Sequence, residues 1–164
     1  MTNDLFDEMD LAILDLVKCN ARLSFRAIGK KLKISTGTVS ERLRHMQERG
    51  IIRGFVTVVN PALLGYSVTM LLCLRISPSV PREEVEKAVV SLEEASCVHY
   101  ITGDIDMTVL IRARDQAHAA KVLDTVRLIE GVERVDSHMV LNQLNVCAKC
   151  GCDCGWAPNR VKKR

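Results

Sequence analysis

Residues 24–50, SFRAIGKKLKISTGTVSERLRHMQERG, decide the fold of the first part of the chain. Ser24 and Ser35 are both favourable N-cap residues, because a serine hydroxyl accepts a hydrogen bond from a free amide in the first helical turn. The stretch therefore predicts one helix over Phe25–Leu32 and, after a short turn, a second helix running from its Ser35 cap to about Arg49. Two short helices joined by a tight turn are typical of a helix-turn-helix.

Apolar side chains recur at helical spacing on both sides of this turn. Val39, Leu43 and Met46 fall at i, i+4 and i+7, so one face of the second helix is predicted to be buried. Gly50 is expected just past the end of that helix, and Ile51–Val59 is expected to form a short strand or wing. An earlier helix is predicted behind an acidic first turn from its apolar positions, namely Met9, Ile13, Leu16 and Val17.

Positive charge is concentrated in residues 24–54, which hold eight basic and two acidic side chains, although the whole chain carries a formal net charge of only +3. Such a cluster is typical of a surface that binds nucleic acid, but solvated helix faces also collect lysine and arginine. Spacing and charge alone therefore leave two interpretations, a DNA-binding helix-turn-helix and a helical hairpin with a solvated basic face.

On the first interpretation, the second helix of the motif enters the major groove of double-stranded DNA. Thr36, Thr38 and Arg42 are predicted to face outward near its N-terminal half, where base edges are reached, and Gly37 lets the backbone come close. The hydroxyls that suit phosphate oxygens are those of Ser35, Thr36 and Ser40. The basic side chains predicted to contact phosphates are Arg44, Arg49, Lys30 and Lys31.

After residue 66 the hydropathy pattern predicts a β-α-β-β-α-β order, two similar halves in tandem. The predicted strands are Ser67–Ile76, Val98–Thr102, Met107–Ala113 and Val132–Leu141, and the predicted helices are Arg82–Glu94 and Gln116–Ile129. This order is the ferredoxin-like arrangement. The predicted fold class is therefore α+β, an N-terminal winged helix-turn-helix followed by a ferredoxin-like βαββαβ domain for sensing and oligomerisation.

The first of these strands is apolar on both faces, with Met70, Leu72 and Leu74 on one side and Leu71 and Cys73 on the other. Helices can cover only one face of such a sheet. The other face needs a partner, most simply a second copy of the chain, so a homodimer is expected.

The sequence divides into four predicted segments: residues 1–60 for DNA binding, a linker at 61–66, the ferredoxin-like effector-binding and dimerisation domain at 67–145, and a cysteine-rich basic tail at 146–164. No apolar run is long enough to span a membrane, and the acidic N-terminus does not resemble a signal peptide, so a cytoplasmic protein is expected. Cys19, Cys73 and Cys97 lie apart in mostly apolar segments and are expected to be reduced core residues.

The tail contains Cys147-x-x-Cys150-x-Cys152-x-Cys154, four thiols within eight residues. A Cys-x-x-Cys-Gly turn presents two thiolates to one metal, and two more thiolates can complete a tetrahedral zinc site or ligate an iron–sulfur cluster. The close spacing, with a lysine beside Cys150, also suits thiol–disulfide switching. A third interpretation is that the tail has neither role.

Four stretches resemble the leucine-responsive regulatory protein/AsnC (feast/famine) family of transcriptional regulators. They are MDLAILDLVKCNARLSFRAIGKKLKISTGTVSERLRHMQERGIIRGF, VNPALLGY, ITGDIDMTVLIRARD and IEGVERVDSHMVL. The resemblance covers residues 7–145 and leaves out the tail. It implies dimers through the sheet, often assembled into octamers, that bend or wrap promoter DNA. It also implies an amino-acid-like effector bound at contacts between dimers.

In the family that the chain resembles, a Gly-x-x-Asp loop between the two central strands lies at the effector cleft. Here the loop is residues 103–106, and a carboxylate such as that of Asp106 accepts hydrogen bonds from an ammonium group while loop amides hold a carboxylate. A simple turn between two strands is the alternative. In the last strand, Val135 and Ser137 stand where many members carry threonines, a departure that leaves the effector open. The predicted effector-binding residues are Thr102, Gly103, Asp104, Asp106 and Ser137.

Two other classes of function compete with a regulator. One is an enzyme like the haem-pathway decarboxylases that share this two-domain organisation, and the other is a metal- or redox-binding module without DNA binding. Such an enzyme does not need a basic, well-capped third helix, and the four histidines are scattered rather than set beside a nucleophile or a carboxylate pair. We therefore predict a DNA-binding regulator and not an enzyme.

Overall fold

The computed structural model describes residues 7–57 and 59–142, which form two compact units divided at residue 58. The first unit contains three helices: α1 (Glu8–Cys19), α2 (Phe25–Leu32) and α3 (Thr36–Glu48). The elements of the second unit are a 3-10 helix (Pro61–Leu64), β1 (Val68–Ile76), α4 (Arg82–Val90), β2 (Ala95–Tyr100), β3 (Met107–Ala113), α5 (Gln116–Arg127) and β4 (Val132–Met139). In this described part of the chain, no helix is both long and apolar enough to cross a membrane.

The three helices of the first unit all begin at polar caps. Asp7 caps α1 through a reciprocal pair, in which its carboxylate accepts from the Asp10 amide at 2.8 Å and the Asp10 carboxylate accepts from the Asp7 amide at 3.1 Å. Ser24 and Ser35 each accept a hydrogen bond from the amide three residues on, at 3.2 and 3.0 Å. Both predicted serine caps are confirmed, and α2 has the predicted bounds.

The turn between α2 and α3 is tight because two residues meet special backbone requirements. Lys33 ends α2 in the left-handed region at φ 57°. Gly29 is buried, and a Cβ at this position would lie 2.7 Å from the carbonyl oxygen of Ile34, so glycine alone lets the turn pass this close to the helix. The core that the three helices enclose consists of Ile13, Val17, Ile28, Val39, Leu43, Met46 and Ile52.

The strand predicted over Ile51–Val59 is not formed in residues 51–57, and Val58 lies outside the described residues. Ile52 inserts into the core at 8% exposure, but the residues that follow are exposed, including Phe55 at 52%. A strand needs a neighbour to satisfy its amides and carbonyls. The described residues of this unit form no other strand for the segment to pair with.

The second unit is built on one antiparallel sheet with strand order β2-β3-β1-β4. With α4 and α5 as the crossovers on one face, this is the predicted ferredoxin-like arrangement, which is confirmed. Alternate side chains of the two central strands are fully buried beneath the helices, Leu72 and Leu74 from β1 and Val109 and Ile111 from β3. Burying each such side chain contributes roughly 1.5–3 kcal/mol. The helix residues that close this core are Val85, Val89, Ala119, Val122 and Val126.

Two element ends differ from the sequence prediction by several residues. The helix α4 ends at Val90 rather than at Glu94, because Ser91 closes it with a hydroxyl that donates to the carbonyl three residues earlier at 2.7 Å. The strand β2 was predicted to begin at Val98 but begins at Ala95, because its pairing with β3 starts there, opposite Ile111. The periodicity of the sequence does not indicate where a neighbouring strand lies, so it could not predict the end of α4 or the start of β2.

The face of the sheet opposite the helices carries apolar side chains as well. Leu71 lies opposite Leu110 in the pairing of the central strands, both half-buried, and Cys73 beside them is buried. Cys19 and Cys97 are exposed, so the prediction that they are core residues is wrong. The reason is their position, since Cys19 is the last residue of α1 and Cys97 belongs to the edge strand β2.

Candidate DNA-binding face and effector cleft

The exposed face of α3 lies opposite the apolar side chains that hold this helix on the core. Val39, Leu43 and Met46 are buried. The exposed residues of the helix are Thr36, Gly37, Ser40, Glu41, Arg44, His45, Gln47 and Glu48. Its N-terminal half therefore presents hydroxyls and an unobstructed glycine backbone, and Arg44 follows Ser40 one turn further on. These are groups that contact phosphates and base edges.

Ser35 and Thr38 are tied to each other at the start of α3. The Ser35 hydroxyl accepts from the Thr38 amide at 3.0 Å, and the two hydroxyl oxygens lie 2.8 Å apart. Thr38 is half-buried, and its hydroxyl is engaged with Ser35 rather than projecting freely as predicted. Both side chains complete the helix start, and the exposed hydroxyl residues of this end are Ser35, Thr36 and Ser40.

Arg42 does not project freely from α3 as predicted. Its Nη1 atom donates to Asp7 Oδ1, Asp7 Oδ2 and Asp10 Oδ1, each at 2.8 Å. These two acidic residues belong to the start of α1. The two carboxylates raise the pKa of the Arg42 guanidinium, and the hydrogen bond to Asp10 is the largest cause. The pKa of Asp7 lies below its usual value, first because its carboxylate accepts from the Asp10 amide and then because it binds Arg42.

The other basic residues predicted to touch phosphates are all exposed. Lys30 and Lys31 lie in the last turn of α2, and Arg49 caps the C-terminus of α3. Arg44 pairs with Glu48 one turn further on at 2.6 Å, with both side chains more than half exposed. An exposed pair of this kind contributes little, so Arg44 can exchange the carboxylate for a phosphate at small cost.

Hydrogen bonds that involve two side chains, Arg75 and Asp106, hold the loop between β2 and β3 to the end of β1. Arg75 donates from Nε and Nη2 to the carbonyl oxygen of Asp104 at 3.1 and 2.6 Å. The Asp106 carboxylate accepts from the Ile76 amide at 2.8 Å. Gly103 turns the loop at φ 124°, which favours glycine. The loop is thus a structured turn in which the Asp106 side chain fastens the backbone, as the simple-turn alternative requires.

A cleft of about 300 Å³ lies beside this loop and is lined by Arg75, Asp104, Ile105, Arg134 and Asp136. Arg134 pairs with Asp136 through Nε at 3.0 Å, yet its side chain remains 69% exposed. The cleft therefore combines two guanidinium groups with a carboxylate on a strand. Such a set can hold the carboxylate and the ammonium of one small zwitterion.

Only part of the predicted effector set lines this cleft. Asp104 does, whereas Ser137 lies opposite Leu72 in the sheet and so occupies the helix-covered side. The neighbouring Asp136 lies opposite Cys73, on the other side. Thr102 is exposed next to the loop and is not among the lining residues. The structure therefore does not bring Ser137 together with the loop within one protomer.

Sequence reasoning missed Arg75, Arg134 and Asp136 as members of this cleft. The period-two spacing of Arg134 and Asp136 within β4 is a signal that they share a face. The signal became useful only with the pairing register, in which Arg75 lies opposite Arg134. That register also contains a bulge between Arg75 and Ile76, which no sequence pattern indicated.

No group of three or more histidine, cysteine, aspartate or glutamate side chains is placed to hold a metal ion in the part of the chain that the structure describes. The predicted metal ligands Cys147, Cys150, Cys152 and Cys154 lie outside the described residues. The zinc and iron–sulfur hypotheses for the tail therefore stay predictions.

Both units match known protein families. Residues 6–53 match the winged helix-turn-helix DNA-binding model, and residues 69–146 match the Lrp/AsnC ligand binding domain. The HTH-type transcriptional regulator Ptr1 of Methanocaldococcus jannaschii is 39% identical over 119 residues, 73% of this chain and 80% of that protein. The HTH-type transcriptional regulator FL11 of Pyrococcus abyssi is 33% identical, over 82% of this chain and 89% of that protein.

Solved structures share the fold at lower identity. AsnC of E. coli superposes with a TM-score of 0.78 at 24% identity, covering 84% of this chain and 93% of that one. A transcriptional regulator of Neisseria meningitidis in complex with L-methionine gives 0.81 at 22% identity, covering 88% and 95%. The helix-turn-helix and the ferredoxin-like unit each agree with the family model that matches them, and the names of the relatives favour a regulator over the enzyme alternative. The protein belongs to the Lrp/AsnC family of DNA-binding transcriptional regulators.

Proposed function

We propose that this regulator contacts its operator with the exposed N-terminal half of α3, assembles through the uncovered face of its sheet, and responds to an amino-acid-like molecule bound in the Arg75–Arg134 cleft. The observation that carries the first part is the arrangement of α3, whose apolar residues are buried while Thr36, Ser40 and Arg44 are exposed. Exposed hydroxyls at the front of a recognition helix, with an exposed arginine one turn further on, are suited to double-stranded DNA.

The DNA contact is tested by replacing Arg44 with Ala and measuring affinity for an operator selected from random DNA. A phosphate contact by Arg44 lowers affinity and reduces the slope of log affinity against log salt by about 0.9. Lys121→Ala is the matched control, because it removes one exposed positive charge from α5 in the other unit. Equal affinity and equal slope for Arg44→Ala and the wild type would remove Arg44 from the DNA contact.

A homodimer is supported by the uncovered face of the sheet, where Leu71 and Leu110 form an apolar pair on the central strands. Apolar side chains at the centre of a sheet face are normally covered by another layer. A second copy of the same face supplies that layer with two-fold symmetry. Further assembly of dimers into an octamer is part of the proposal, and light scattering after gel filtration measures the mass that decides it.

The effector proposal rests on the charges of the cleft. Arg134 keeps donors beyond the Nε that binds Asp136, and Arg75 holds the loop while its guanidinium remains at the cleft wall. A zwitterion places its carboxylate against the arginines and its ammonium against Asp136. The Neisseria regulator of the same fold was solved with such a zwitterion, L-methionine.

Binding is measured by calorimetry with each of the standard amino acids, for the wild type, Arg134→Gln and Asp136→Asn. We expect at least one amino acid to bind the wild type and both variants to weaken it, since each removes one charge-assisted contact. Glu130→Gln, an exposed charge outside the lining of the cleft, is the control. Retained affinity in both cleft variants would place the effector elsewhere.

For the tail we propose a zinc or iron–sulfur site formed by Cys147, Cys150, Cys152 and Cys154. The support is their spacing. Metal content is measured on protein purified without oxygen, full-length beside a chain truncated after Asn145. The site is supported if only the full-length form contains about one metal site per subunit or per dimer. If neither form contains metal, thiol–disulfide switching or no role remains for the tail.

A further inference from the structure

The ion pair of Arg42 joins the middle of α3 to the first turn of α1. Asp7 and Asp10 precede Arg42 by 35 and 32 residues along the chain, so the contact is tertiary. The Asp10 side chain is only 15% exposed and that of Arg42 is 31% exposed. Asp7 is 56% exposed, so the part-buried contact is the one between Arg42 and Asp10, and separating it leaves a poorly solvated Asp10 carboxylate behind.

The same two carboxylates also cap α1. Asp7 Oδ1 accepts from the Asp10 amide at 2.8 Å while it accepts from Arg42, and Asp10 Oδ2 accepts from the Asp7 amide. The guanidinium therefore binds a preformed pair of carboxylates rather than one mobile side chain. This arrangement fixes a point on α3 against the start of α1.

Such a point matters because the buried contacts of α3 with the core are apolar. Val39, Leu43 and Met46 hold the helix by burial, which is not directional. Hydrogen bonds and ion pairs require particular distances and angles. The Arg42 contact can therefore set the rotation of α3 about its own axis, and with it the direction in which Ser40 and Arg44 project.

We propose that Arg42 is a positioning residue for DNA binding, which orients α3 through Asp7 and Asp10 and does not contact DNA phosphate in the complex. The alternative is that the two carboxylates occupy Arg42 only in the free protein and release it to a phosphate. The two cases predict opposite changes in DNA affinity when the Asp10 charge is removed. Removing the Asp10 charge weakens DNA binding if Asp10 positions α3, and strengthens it if Asp10 competes with DNA for Arg42.

The test compares Asp10→Asn, Arg42→Gln and the double variant with the wild type, using the selected operator at several salt concentrations. We expect each single variant to lose affinity by between about twofold and about thirtyfold, the range for residues that affect a site without touching the ligand. The slope of log affinity against log salt stays at the wild-type value for Arg42→Gln, because no phosphate contact is lost. The double variant resembles Arg42→Gln, because that substitution already removes the contact that Asp10→Asn weakens.

Two outcomes would overturn the proposal. The first is a fall of about 0.9 in the salt slope for Arg42→Gln, as expected for a lost phosphate contact. The second is tighter binding by Asp10→Asn. Circular dichroism of each variant verifies folding.

Arg42→Lys gives a further comparison, since a single ammonium retains the charge but not the planar donor geometry. An affinity of the Lys variant between those of the wild type and Arg42→Gln supports positioning. An affinity equal to that of Arg42→Gln, with the same salt slope, also agrees with positioning. A Lys variant that keeps the wild-type affinity through charge alone contradicts the proposal.

Discussion

The Asp106 carboxylate accepts a hydrogen bond from the Ile76 amide at 2.8 Å, across the end of the sheet. In the reverse direction, the Asp106 amide donates to the carbonyl oxygen of Leu74 at 2.9 Å. Ile76 lies at the bulge where the pairing of β1 with β4 shifts register. A side chain thus supplies the acceptor that this irregular strand end needs, and the preceding Arg75 lines the cleft that also contains Arg134 and Asp136.

Replacing Asp106 with Ala is expected to expose the end of β1. The Ile76 amide loses its acceptor, and a lost hydrogen bond to a charged group costs about 1.5–3 kcal/mol. We expect faster hydrogen exchange of the Ile76 amide, measured by NMR. Asp106→Asn keeps an acceptor oxygen and should retain part of the protection, so equal exchange in all three proteins would show that the bond contributes nothing.

The first unit should depend on pH through Asp7. The Asp10 amide and then Arg42 lower the pKa of Asp7 from its usual 3.8, so the folded state favours the ionised carboxyl. The resulting stabilisation is present above the unfolded pKa and is lost as the pH falls through the still lower folded pKa. Asp7→Asn, which remains a good N-cap, should therefore melt below the wild type at pH 7, and the difference should shrink as the pH falls below 3.8. A melting difference that is constant over this range would contradict the assignment.

Gly29→Ala is expected to disturb the helix-turn-helix directly. Its Cβ would meet the Ile34 carbonyl oxygen at 2.7 Å, a backbone atom that cannot move alone. Overpacking of this kind costs about 1–3 kcal/mol, which lowers the melting temperature of the first unit and weakens operator binding.

Gly37→Ala is the matched comparison within the same motif. The nearest atom to its Cβ is the Ser35 hydroxyl oxygen at 3.7 Å, an ordinary contact, so the folded unit tolerates it. Removing a glycine from a helix stabilises by roughly 0.5–1 kcal/mol. If the α3 backbone approaches DNA at this point, Gly37→Ala binds the operator more weakly despite its higher melting temperature. Undiminished binding would show that the backbone does not come close there.

Leu71→Arg should reduce the oligomeric mass. The substitution puts a charge at the centre of the uncovered sheet face, where burial without a partner is costly. Leu128→Arg is the control, because Leu128 is 85% exposed and directly follows α5, outside the strands. We expect light scattering after gel filtration to give a smaller species for Leu71→Arg alone. An unchanged mass for Leu71→Arg would exclude this face as the dimer interface.

The local sequence pattern was sufficient to predict features that depend only on residues close together in the chain. The caps at Ser24 and Ser35 and the bounds of α2 and β3 follow from turn chemistry and periodicity. Of the two alternatives for the segment after Gly50, a strand or a wing, the strand is absent from residues 51–57, because a strand depends on a partner and no described residue of the first unit offers one. The exposure of Cys97 likewise depends on its place in an edge strand, which strand order alone determines.

By itself the sequence determined the helix-turn-helix and the βαββαβ order of the second unit, because these follow from periodicity and capping, and its motifs carried the resemblance to a DNA-binding family. Tertiary structure alone decided the direction of Arg42 and the composition of the cleft around Arg134. Charge spacing placed Arg42 on the outer face of a helix, yet a pair of carboxylates on another helix binds it. The physical reason is that ion pairs and strand register join residues far apart in the chain, and one-dimensional patterns carry no distance between such residues.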